Sequence, residues 1–139
     1  MKRVLFAALM LIAMHYSLSG IFLPGPPSHW LAPLTNDVRS VFTAAFGRLP
    51  FDEHLISLVV AAVAVAALGV GFFALFGWVA PRTWFLPCLL AGSGCSILLY
   101  LLFFNRMALI PLVLNAFILG SVLGLRWFVP QLASSAGVQ

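Results

Sequence analysis

Acid is the scarcest component of this chain. Of 139 residues only three are Asp or Glu, against seven Lys and Arg, and charged residues make up 7% of the total. The three acids, Asp37, Asp52 and Glu53, all fall in one stretch. A soluble domain carries about 25% charged residues to wet its surface, so a water-facing fold of this length is excluded. Disorder is excluded by the same shortage, because a chain that is 63% hydrophobic and 14% aromatic does not stay a solvated coil. Cysteine is almost missing too. Cys88 and Cys95 are the two present, and about 10 Å of helix separates them, more than a disulfide bridges. With no Cys-x-x-Cys unit, thiol-disulfide chemistry lacks its usual motif. No glycine-rich phosphate loop, nucleophile with base, or metal-ligand spacing occurs, so the sequence gives enzymatic activity no direct support and requires no cofactor. The basic residues are scattered along the chain without a patch, which argues against a nucleic-acid partner.

What the chain has instead is long apolar runs. Crossing about 30 Å of hydrocarbon takes about 20 helical residues, and four segments match: 4–23, 55–79, 85–104 and 108–128. Pro24-Gly25-Pro26-Pro27, Pro81-Arg82, Asn105-Arg106 and Pro130 bound them, and Trp30, Trp78, Trp84 and Trp127 stand at or near their ends, as interface-seeking indoles do. The links between the second and third and between the third and fourth segments are short, so those helices are antiparallel neighbours. The expectation is an all-α integral membrane protein: one membrane domain over 1–139, a four-transmembrane-helix bundle with a short tail at 129–139. Lys2-Arg3, the first apolar run and Ser17-Leu18-Ser19 also have the form of a secretory signal, but the run is a little long for a signal core and is read as a retained helix. With the N-terminus inside, Lys2, Arg3, Arg82 and Arg126 are cytoplasmic, and Arg39, Arg48 and Arg106 lie outside. The bias favours both termini in the cytoplasm of a bacterial inner membrane.

Between the first two segments, Val38, Val41, Phe42, Ala45, Phe46 and Leu49 recur at three- and four-residue steps, with polar residues opposite. This predicts an interfacial amphipathic helix over 36–47. It is either a packing lid or a gate or docking surface over the bundle mouth. Asp52 and Glu53 open the second segment, where Asp52 can cap free amides.

Polar side chains inside hydrocarbon are costly and therefore candidates for function. They are His15, Tyr16, Ser17 and Ser19 in the first segment, Ser93, Cys95, Ser96 and Tyr100 in the third, and Asn115 and Ser121 in the fourth. His15 is either helix glue, bonding across to Asn115, Tyr100 or Ser96, or a contact for a quinone or pigment. No carboxylate lies in any span, which disfavours ion-coupled transport. Two small-residue stripes, Cys88-x3-Gly92-x3-Ser96 and Ala116-x3-Gly120-x3-Gly124, allow close helix approach. Either the third and fourth helices meet there or one stripe faces a partner subunit. Gly69 and Gly71 mark close packing or a bend in the second.

Ser19-Gly20 closing the first span, the amphipathic stretch ending at Leu49-Pro50-Phe51, Glu53 entering the second span and the tight third and fourth helices together resemble the small four-helix membrane proteins of the DoxX and MauE type. That resemblance implies an accessory role beside quinone- or thiol-linked redox systems. Two functions follow as expectations. One is a non-catalytic subunit or assembly factor of a larger redox-linked membrane complex, respiratory or photosynthetic, with the lipid bilayer and other membrane subunits as partners in a homo- or hetero-oligomer. The other is a quinone- or lipophile-binding protein or enzyme using His15 and Tyr16 under the amphipathic lid.

Overall fold

The structure is a computed structural model and describes residues 2–19, 21, 43, 52–104 and 106–124. Helix α1 is Lys2–Leu18, α2 is Glu53–Phe76, α3 is Phe85–Leu102 and α4 is Leu109–Leu123; 3-10 turns at Arg82–Trp84 and Arg106–Ala108 lead into α3 and α4. No strand occurs among the described residues. Counting the leading turns, three helices are long and apolar enough to cross a membrane: Glu53–Phe76, Arg82–Leu102 and Arg106–Leu123.

Local chemistry sets the helix ends. Asp52 is the N-cap of α2, its carboxylate accepting the His54 amide at 2.9 Å, as the sequence predicts. Gly77 ends α2 in the left-handed region at φ 69°, with its amide turned back to the Phe73 and Ala74 carbonyls; a residue without Cβ enters that region freely. Pro87 and Pro111 each fall in the first turn of a helix, where no amide donor is needed. α1 stops at Leu18, short of the expected Leu23. There the Ser19 amide and hydroxyl both bond the Tyr16 carbonyl, at 3.0 and 2.7 Å, and the Ile21 amide takes the Leu18 carbonyl at 3.0 Å. These three-residue closures tighten and end the helix. Residues 22 and 23, all of the expected interfacial helix 36–47 except Thr43, and residues 125–139 lie outside the described residues. Val38, Val41, Phe42, Ala45 and Phe46 are among them.

The four helices form a ring in chain order. α2 packs on α1 and α3, α4 packs on α3 and α1, and the α2–α3 contact is the most extensive. Met10 of α1 lies near Gly71 of α2 and Met14 near Gly69, so these two helices run antiparallel. α1 and α3 are parallel across the diagonal, Phe6 meeting Phe85 edge to face at 5.9 Å. One apolar cluster gathers Phe6, Met10, Leu68, Phe85, Leu89 and Ile118, and a second gathers Tyr16, Ala61, Leu99, Tyr100 and Phe103. Ser93 and Ser96 of α3 and Asn115 of α4 fall between the two.

Glycine sets the closest approach. A Cβ on Gly92 would lie 2.7 Å from Leu68 Cγ and 2.9 Å from the Leu68 backbone nitrogen. Gly71 is similarly crowded by Met10, at 3.2 Å, and by Cys88 Cβ, at 3.5 Å. Cys88 and Gly92 of the α3 stripe therefore pack against α2, while Ser96 meets α4. The stripe on α4 turns outward: Ala116, Gly120 and Gly124 are all exposed.

Candidate functional site

The buried polar groups meet where α1, α3 and α4 converge. Its depth follows from the packing register. Gly92 lies against Leu68, and one antiparallel turn further brings Ser96 level with Ala64. Ala64 stands about 17 Å from the Glu53 end of α2 and about 18 Å from the Phe76 end, at 1.5 Å per residue. Ser96 is therefore at mid-height of the bundle.

Around it runs a directed line of hydrogen bonds. Asn115 donates one Nδ2 proton to Ser96 Oγ at 3.0 Å and the other to the Pro111 carbonyl at 2.9 Å. Ser17 Oγ, 2.9 Å from Ser96 Oγ, donates its single proton to the Ala13 carbonyl at 3.0 Å. Ser96 must then be the donor to Ser17, because each hydroxyl has one proton to give. The line runs α4 to α3 to α1, and all three residues are fully buried. The Pro111 carbonyl can only accept, which fixes the Asn115 amide orientation. It also leaves Asn115 Oδ1 as a buried acceptor without a partner among the described residues; Ser93 Oγ and Tyr100 Oη lack a well-formed bond there too, with Ser19 the polar neighbour of Tyr100.

The expected site residues separate into inner and outer sets. Tyr16, Ser19, Tyr100 and Asn115 are buried, whereas His15 is exposed on the outside of α1, its ring edge-on to Tyr16 at 6.0 Å and 61°. The hydroxyl that ties α1 to α3 is that of Ser17, not the imidazole of His15. Phe6, Met10, Ala13 and Ser17 recur at four- and three-residue steps and form the inward face of α1; that spacing was the signal available for Ser17. Ser19 lies four residues from His15 yet is buried, because the tightened turn after Leu18 redirects it. Ser121 bonds back to its own helix at the Phe117 carbonyl, at 2.8 Å. Cys88 and Cys95 are free thiols.

Chemically this is a neutral network. It holds no carboxylate, imidazole or thiol, so it joins helices and can offer an unpaired carbonyl oxygen and a phenol to a polar group. Among the described residues, no group of three His, Cys, Asp or Glu side chains gathers as a metal site. Compared with protein-family models, curated proteins and solved structures, the chain matches none of them, and its functional reading rests on these residues.

Proposed function

We propose that this chain is a non-catalytic integral membrane subunit or assembly factor that joins a larger complex through the outer face of α4. In this reading α1 and the residues after it complete a fourth crossing, the stretch 36–47 lies at the interface, and the host complex is redox-linked in a bacterial inner membrane. One observation carries the reading: Gly120 faces outward, and a Cβ there would meet nothing within 4 Å. Gly71 and Gly92, by contrast, are used up in contacts within the bundle. In lipid a stripe of small residues gains nothing by itself, while against another helix it allows close backbone approach. Arg3 and Arg82 at the end where Phe6 meets Phe85, against Arg106 alone of the described residues at the other, support cytoplasmic termini.

The test is affinity purification of the full chain from its native membrane, wild type against Gly120→Leu. The expected result is a membrane protein that co-purifies with the wild type and is lost from the variant, with helix content unchanged. Purification of the wild type free of any other membrane protein would refute the reading.

Tyr100 Oη and Asn115 Oδ1, buried without a well-formed bond among the described residues, favour a second reading, a binding protein for a lipophile with a carbonyl or hydroxyl head, such as a quinone. His15 points away from that seam, so the contact residues would be Tyr100 and Asn115 with Tyr16 and Ser19 beside them. Mass spectrometry of lipophiles extracted from wild type and Tyr100→Phe tests it, and equal retention of every extracted species would dismiss it.

A further inference from the structure

The outward face of α1 is Val4, Leu5, Ala8, Leu11, Ile12 and His15, every one exposed. Five are apolar and suit hydrocarbon; the last does not. Ser17 bonds Ser96 at mid-height, and His15 precedes it by about 3 Å of helix rise. In a membrane-spanning chain an outward imidazole therefore sits near the bilayer centre. Arg3, at the near end of α1, is about 18 Å away, far beyond what a histidine can reach by leaning toward the headgroups. Among the described residues His15 has a ring contact with Tyr16 and no hydrogen bond. A neutral imidazole carries one N–H donor and one bare nitrogen, and leaving such groups unmet in hydrocarbon costs several kcal/mol. Lipid is the wrong neighbour for this face.

The face also has a register. Val4, Ala8, Leu11 and His15 follow one another at steps of four, three and four, the seam pattern of two helices in a left-handed pair. Ala8 in that seam lets a second helix come close. Two copies of this chain insert in the same direction, because the same topology signals act on both, so their α1 helices run parallel. A two-fold axis along the membrane normal then sets each residue opposite itself at equal depth. That arrangement brings two imidazoles together at the one polar position, where an N–H of one meets the bare nitrogen of the other. A single polar residue in an apolar seam also fixes alignment.

We propose that this face of α1 is a homodimer interface, closed against α1 of a second copy with His15 at the two-fold axis. The inference rests on the membrane-spanning part of the proposed function and not on α4. Its test is disulfide trapping in native membranes, in a full-length chain carrying Cys88→Ser and Cys95→Ser. Ala8→Cys and Leu11→Cys are expected to give a dimer on oxidation, and Ala62→Cys, exposed on α2, is expected to give none. In the Leu11→Cys background, His15→Leu should lower the dimer yield at least several-fold without loss of insertion, since leucine suits lipid better. His15→Asn, which keeps a donor and an acceptor, should preserve it. Equal trapping at Ala8, Leu11 and Ala62, full yield with His15→Leu, or loss of yield with His15→Asn would each overturn the proposal. Gly120→Leu, which tests the α4 reading by co-purification, is expected to leave this trapping unchanged, so failure of one reading is distinguishable from failure of the other.

Discussion

Replacing Gly92 by alanine tests the packing register on which the depth of the polar seam depends. The new methyl would stand 2.7 Å from Leu68 Cγ and 2.9 Å from the Leu68 backbone nitrogen. Carbon atoms in contact prefer about 3.5–4.0 Å. Leu68 cannot relieve the clash by changing rotamer, because its backbone is part of it, so α2 and α3 must part by several tenths of an ångström. Overpacking of this kind costs about 1–3 kcal/mol, while alanine in place of glycine returns about 1 kcal/mol of helix propensity. Gly94 is the internal control: it lies on the same helix, and a Cβ there meets nothing within 4 Å. The propensity gain is common to both, so the difference between Gly92→Ala and Gly94→Ala isolates the steric cost, about 1–3 kcal/mol. Equilibrium unfolding in mixed micelles of a mild detergent and dodecyl sulfate would measure it. Equal stability of the two variants would show that α2 and α3 do not meet at Gly92, and the mid-height assignment of Ser96 would fall with it.

Tyr100→Phe removes a buried hydroxyl that has no well-formed hydrogen bond among the described residues, Ser19 being its polar neighbour, so the same unfolding assay should find it neutral or stabilising; a loss above about 1 kcal/mol would mean that Ser19, a ligand or water meets that hydroxyl. Asn115→Leu breaks the link from α4 to Ser96 and should cost about 0.6–2 kcal/mol, the range for hydrogen bonds between membrane helices, whereas no loss would mark the bond as weak. Asp52→Ala should destabilise by about 1 kcal/mol through loss of the α2 cap, with Asp52→Asn recovering most of it in thermal unfolding. Gly77→Ala should be more damaging than Gly94→Ala, because it forces a Cβ into φ 69° and within 3.0 Å of Arg82 Nε.

The order of the helices and where they start were legible in the sequence because each has a local cause. Of the four apolar runs read as spans, three are helices long and apolar enough to cross a membrane, and α1 is a shorter apolar helix. Asp52 caps α2 as its side chain and position require, and α3 and α4 start where Trp84 and Arg106 lead. Which side of each helix faces inward was not legible. His15 and Ser17 are two residues apart, yet one lies outside and the other within the bonded core. The stripes at Gly92 and Gly120 look alike in sequence, yet one presses on Leu68 and the other meets nothing. In a water-soluble helix the polar residues mark the outside, and periodicity reveals the core. In hydrocarbon the surroundings are as apolar as the interior, so an apolar residue carries no label for either side. Only the tertiary contacts assign one, which is why the sequence by itself determined the all-helical class and three helices able to cross a membrane, and the packing of α1, α3 and α4 decided the polar seam and the outward faces of α1 and α4.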